Sequence, residues 1–134
     1  MLRIGIAGFG VVGKRRKDCL SKNPHAHVVA VCDRMLEGVS QLEDGTVCYT
    51  EYTQLVVQEL DILFVCMPND MAAAVTIFGL ENGLHVFCEK PPGRSVAEVI
   101  EVARISKAHA EQKLMFGFNH RYHESVARAM SVID

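Results

Sequence analysis

Short apolar, β-branched runs alternate along the chain with longer stretches whose apolar positions recur at helical spacing. The run LRIGIAG, from Leu2, reads as a strand, and Val11 to about Lys22 as a helix closed by Asn23 and Pro24. HVVAVCD is a second strand, followed by a helical piece from Met35 to Leu42. TVCYT is a brief third strand and YTQLVVQEL a short helix. DILFVCMP is a fourth strand, continuously apolar as a strand buried on both faces must be. Met71 to Asn82 has helical composition with Gly83 as its stop, and LHVFCEK is a fifth strand. Ser95 and Glu98 form a capping-box pattern for a helix running to about Glu111. KLMFGFN is a sixth strand, and Glu124 to Ile133 begins another helix. Regular strand–helix alternation with short connections predicts an α/β fold: a doubly wound parallel sheet with helices on both faces, joined by right-handed crossovers.

Bulk properties narrow the field. The chain has 134 residues, the size of one domain with one core. It is 49% hydrophobic and 22% charged, with a net charge of -2, a soluble globular composition that gives no electrostatic case for nucleic acid or an anionic membrane. No apolar run approaches the roughly 20 residues of a membrane span, and Arg3 and the glycines interrupt the N-terminal one, so no targeting segment is expected. The basic run KRRK at 14–17 reads as a solvated helix face. Cysteines at 19, 32, 48, 66 and 88 form no C-x-x-C pair. That argues against a disulfide framework and structural zinc and for a reducing cytoplasm, with several of the thiols as small buried groups ending strands.

The sequence Gly8-Phe9-Gly10-Val11-Val12-Gly13 has G-x-G-x-x-G spacing, directly after the first strand and opening the first helix. The first glycine allows a tight turn, the second lets a pyrophosphate approach bare backbone, and the third lets helix pack on sheet. The helix N-terminus adds free N–H groups. Asp33 ends the second strand, where a carboxylate accepts hydrogen bonds from the ribose of NAD. The same residue also suits an ordinary N-cap before Met35, and the two roles are compatible. Arg34 could meet the 2′-phosphate of NADP, but Asp33 beside it would repel that group, so NAD is favoured and NADP stays open. Ligands of such sheets collect outside the carboxyl ends of the strands, where CMPND (66–70) and CEKPPG (88–93) fall. Lys90 there is either a loop lysine or one whose ammonium polarises a substrate oxygen beside the nicotinamide. His120 and His123 flank Arg121 at a spacing that can serve a metal on a helix, but no third ligand is near and no metal is expected.

Taken in order, GIAGFGVVG, CD, MPND, EKPPG and GFNHRYHES resemble the glucose–fructose oxidoreductase / inositol dehydrogenase / MocA family over the whole chain. The resemblance implies a Rossmann-type domain of an NAD(P)-dependent oxidoreductase acting on a sugar, nucleotide sugar or polyol. It implies that Gly8, Gly10 and Gly13 carry the pyrophosphate and that Asp33 and Arg34 face the adenosine ribose. Met67, Pro68 and Asn69 then line the cofactor cleft, Glu89 lies beside the nicotinamide ribose, and Lys90 contacts the reacting oxygen. Asn119 and Arg121 fall at the nicotinamide and substrate edge. Where the family often has a proline after the arginine and aromatic, this chain reads RYHES, which leaves that turn open.

Members of the family usually carry a second α/β domain that packs an open sheet over the active site, supplies an aspartate and a histidine for acid–base chemistry, and builds a dimer. The expectation is therefore a dinucleotide-binding domain at 1–119, with 120–134 starting the connection to a C-terminal domain that this sequence lacks. Such a chain would bind dinucleotide with little turnover, and its parent would be a homo-oligomer. Two rival readings stay open: a non-catalytic dinucleotide-binding regulator, and a glycoside hydrolase working through transient NAD-dependent oxidation. A methyltransferase shares the glycine loop and the acidic strand end but has no use for Lys90.

Overall fold

The computed structural model describes residues 1–133. Six strands, β1 (Leu2–Ala7), β2 (Ala26–Cys32), β3 (Val47–Tyr49), β4 (Ile62–Val65), β5 (His85–Cys88) and β6 (Leu114–Phe116), form one sheet in the order 3-2-1-4-5-6. Every neighbouring pair is parallel. The helices are α1 (Val11–Leu20), α2 (Asn69–Glu81), α3 (Val96–Ala108) and α4 (Glu124–Ile133). Strand order reverses between β1 and β4, the switch point of a doubly wound sheet.

Alternation along the strands divides the core between the two faces. Ile4, Ile6, Val28 and Val31 point to the α1 side, where Phe9 and Cys48 join them. Ala7, Val29, Ala30, Leu63, Val65, Val86 and Cys88 point to the other side, against Val75 and Leu80 of α2 and Ile105 of α3. A register shift between Ile4 and Gly5 makes Val29 an extra residue, which is why Val28 and Val31 share a face. Gly79 lets α2 lie close on the sheet, since a Cβ there would come within 2.8 Å of Val86 and 3.0 Å of Leu63. The α1 side is less complete: over β4 and β5 it carries the stacked pair Phe64–Phe87, and Met115 of β6 is 43% exposed.

Five local expectations are revised. The piece from Met35 to Leu42 is only a three-residue 3-10 turn, Arg34–Leu36, because Gly38 leaves helical space at φ +78°. The helix after β3 is a 3-10 turn, Tyr52–Gln58, closed by Glu59 in the left-handed region. Helix α1 stops at Leu20 rather than Lys22, and α3 at Ala108 rather than Glu111. The capping box before α3 is half formed: Ser95 Oγ accepts from the Glu98 N–H at 3.2 Å, but the Glu98 carboxylate turns to Arg94, accepting from its backbone N–H and its guanidinium. Gly83, at φ +75° after α2, is the stop that the sequence indicates.

Candidate functional site: a dinucleotide cleft

The exits of the strands are lashed together in series. Asp33 N–H donates to Tyr49 O at 3.0 Å, Gly8 N–H to Cys32 O at 2.9 Å and Cys66 N–H to Ala7 O at 2.7 Å. Glu89 N–H donates to Val65 O at 2.9 Å and Gly117 N–H to Cys88 O at 2.8 Å. The residues that follow the strands therefore stand in a row along one rim, about 19 Å from β2 to β6 at ordinary strand spacing.

Each glycine of the loop has a separate reason to be there. Gly8 sits at φ +90°, and a Cβ on it would come within 2.5 Å of Cys66 O. At Gly13 a Cβ would meet Gly8 O at 2.0 Å, so only glycine lets α1 start this close to the strand exit. At Gly10 a Cβ would meet nothing. Packing does not require glycine there; a ligand approaching the backbone would. The first intrahelical bond of α1 runs from Lys14 N–H to Gly10 O at 3.0 Å, so the N–H groups of Val11, Val12 and Gly13 precede the ladder and are available to an anion.

Asp33 performs both of its candidate structural tasks. Its Oδ1 accepts from the Met35 N–H at 3.0 Å as the cap of the 3-10 turn, and its Oδ2 accepts from the Phe9 N–H at 2.9 Å. The carboxylate is thus clamped onto the glycine loop, with lone pairs left for hydroxyl donors. The Phe9 side chain is only 8% exposed and belongs to the core, so it anchors the loop rather than facing a ligand. Val11 and Val12 are exposed.

Next to the loop lies a cleft of about 360 Å³, the scale of small-molecule sites. Of the residues singled out in the sequence, it brings together Gly8, Gly10, Asp33, Arg34, Met67 and Pro68. It adds Thr50, Glu51, Tyr52 and Met71, which the sequence did not single out. Those after β3 arrive there only because β3 pairs with β2, which no local motif reveals. Arg34 reaches across the cleft toward the Met71 sulfur, 4.0 Å away. Burial pushes the Cys32 thiol up to about 11 and the Cys66 thiol up to about 12, so both stay protonated at neutral pH and give the cleft a neutral wall.

The remaining singled-out residues stand outside the cleft lining. Asn69 opens α2 and is exposed. Lys90 is exposed just past β5, before a cis peptide to Pro91. Asn119 and Arg121 lie on an exposed 3-10 turn, Asn119–Tyr122, beyond β6. Glu89 is mostly enclosed and paired with Arg16 of α1. That contact also corrects the reading of the basic run as a uniformly solvated face: Arg16 binds Glu89 and Lys17 binds Asp44. His120 and His123 stack face to face, 5.0 Å between ring centres and 8° from parallel, so their in-plane nitrogens do not converge on a common point. No group of three or more metal-ligating side chains occurs among the described residues.

A parallel sheet with this strand order, a glycine turn open only at its second glycine, and an acid clamped beside that turn define a dinucleotide-binding Rossmann domain. Residues 2–118 match the family model described as "Oxidoreductase family, NAD-binding Rossmann fold", and the chain belongs to this glucose–fructose oxidoreductase / inositol dehydrogenase / MocA family. It is 25% identical over 139 residues to inositol 2-dehydrogenase of Salmonella typhimurium strain LT2, covering 99% of this chain and 41% of that protein. It is 29% identical over 126 residues to D-glucoside 3-dehydrogenase of Escherichia coli K12, covering 90% and 36%. The crystal structure of myo-inositol 2-dehydrogenase from Lactobacillus plantarum superposes with a TM-score of 0.88 at 33% identity, over 99% of this chain and 41% of that one. The chain thus spans about two-fifths of the length of these relatives.

Proposed function

We propose that this chain is the cofactor-binding part of an NAD-dependent oxidoreductase acting on a secondary alcohol of a sugar, nucleotide sugar or cyclitol. The carrying observation is the asymmetry of the glycines: Gly8 and Gly13 are demanded by packing, and Gly10 by nothing within the protein. The residues present fit a dinucleotide. In this reading the turn at Gly8, Gly10 and Gly13 and the first N–H groups of α1 hold the diphosphate. Asp33 accepts from the adenosine ribose hydroxyls, and Arg34 with the wall at Met67, Pro68 and Met71 flanks the adenosine end.

When bound, the nicotinamide supplies hydride acceptance or donation. The protein's share is electrostatic. The Lys90 ammonium, on the rim after β5, hydrogen-bonds the substrate oxygen and stabilises negative charge building there. Asn119 and Arg121 follow on the next exit of the rim and border the substrate. Residues 1–119 form the dinucleotide unit and 120–134 begin a connection; of these, Asp134 lies outside the described residues. Among the described residues no helix is long and apolar enough to cross a membrane.

Titration of the purified chain with NADH, NADPH and S-adenosylmethionine, followed by cofactor fluorescence or calorimetry, tests this reading. Saturable binding of NADH, with NADPH weaker and S-adenosylmethionine inert, is expected. Tight S-adenosylmethionine binding, or indifference to all three, would overturn it. Turnover of inositol or sugar substrates by residues 1–134 alone is expected to be negligible, because Lys90, Asn119 and Arg121 all stand exposed on the rim, which leaves a substrate loosely positioned.

A further inference from the structure

Arg16 belongs to a run of cations that pattern alone assigns to solvent, yet its side chain turns inward across the rim. Its Nε and Nη2 both donate to Oε1 of Glu89, and its guanidinium carbon stands 5.5 Å from the centre of the Phe87 ring. Phe87 is in turn stacked on Phe64 at 4.8 Å. The side chains of Arg16 and Glu89 are 27% and 13% exposed. The other carboxylate oxygen of Glu89 faces the chain leaving β6: a Cβ on Gly117 would come within 2.8 Å of Oε2. Glu89 itself stands beside the end of β4, its N–H donating to Val65 O at 2.9 Å.

One enclosed ion pair therefore links three parts of the rim: the helix whose first turn faces the anion, the residue immediately before Lys90, and the exit toward Asn119. Pairs in open solvent hold little. In an enclosed pair, removal of one partner strands the other's charge, so the geometry is enforced.

We propose that Arg16 is a positioning residue: by holding Glu89 it fixes the Lys90 loop against the diphosphate-binding turn, so that occupancy of the turn is felt at the loop. This rests on the dinucleotide reading above. It also narrows the role of Glu89, whose Oε1 is committed to Arg16 and whose Oε2 alone is left to meet a ribose hydroxyl.

The test uses the 134-residue chain labelled with nitrogen-15 and the variants R16M, R16K and E89Q. Amide hydrogen exchange is read by NMR at Glu89 and Gly117, whose N–H groups donate to neighbouring strands, with and without saturating NADH. R16M keeps an apolar stem over Phe87 and is expected to speed exchange at both amides at least tenfold, leaving β1 amides unchanged. R16K is expected to restore part of the protection. NADH is expected to slow both amides in the wild type and not in R16M. Exchange within twofold of wild type in R16M, or equal slowing by NADH in both proteins, would overturn the proposal. Should R16M not fold, E89Q gives the same comparison, since it retains the shape and removes the charge. If NADH does not bind the wild type, the dinucleotide reading falls, and the ligand-free exchange rates decide the tie by themselves.

Discussion

A methyl group placed on Gly10 would touch nothing, whereas the same group on Gly13 would collide with Gly8 O. The two substitutions should separate binding from folding. Gly10→Ala is expected to lower the thermal midpoint by only about 3 °C, the cost of a poorer cap on α1, while weakening NADH binding at least tenfold by obstructing the backbone that a diphosphate approaches. Gly13→Ala is expected to destabilise by about 2–3 kcal/mol, the scale of overpacking with no room to relax. Parallel melting curves and NADH titrations check both. The spacing of the glycines and Asp33 made this part of the site legible, because all its members lie within one strand–helix–strand unit. Arg16 was not legible: its partner Glu89 is 73 residues away, and a basic run on a short helix looks solvated until the sheet brings β5 beneath it.

At the scale of elements, the periodic pattern located all six strands and the long helices, and failed where one residue decides the backbone. Met35–Leu42 has helical composition, but Gly38 and the capping of Met35 by Asp33 make a single turn of it. At α3 the cap works through Ser95 alone, so Ser95→Ala is expected to cost about 1 kcal/mol. Glu98→Gln should cost less, because its partner Arg94 is largely exposed and the pair is screened by solvent. Chemical denaturation of both variants checks the order. Helix α1 is further tied to the loop before β3 by Lys17 and Asp44. Hydrogen bonds from Lys17 and Thr46 hold the Asp44 carboxyl at about 2, below the usual carboxylate range. A lowered folded-state value means that this stabilisation is complete above the unfolded value near 4 and disappears as pH falls through about 2. Asp44 is half exposed, so the effect is a few tenths of a kcal/mol. Asp44→Asn should be slightly less stable than wild type at pH 7 and indistinguishable from it near pH 2, as urea midpoints at the two pH values would show.

For the molecule as a whole, alternation of strand and helix sufficed to predict a doubly wound parallel sheet, and the sheet order bears it out. What it did not convey was how unevenly the layers are filled. The centre, β1 with β4, is buried on both sides through Ile4, Ile6, Leu63 and Val65. At one edge, β6 is three residues long with Met115 exposed, and α4 buries none of its residues. The additional cleft residues Thr50, Glu51 and Tyr52 escaped notice for the same reason, since only the pairing of β3 with β2 brings them to the rim. Native-state hydrogen exchange should therefore grade across the sheet, slowest at Ile6 and Phe64 and fastest from Met115 through α4. Equal protection of β1 and β6 would contradict this account of the core.

The double grip of Asp33 on Phe9 and Met35 bears on any attempt to retarget the protein to a phosphorylated cofactor. Removing that carboxylate to admit a 2′-phosphate also unhooks the glycine turn and the start of the following turn. A serine or asparagine, whose side-chain oxygen still accepts from an amide, keeps part of that scaffold, whereas alanine abandons both amides at once. On the proposed function, exchange of cofactor preference and maintenance of the loop fall to the same two oxygen atoms.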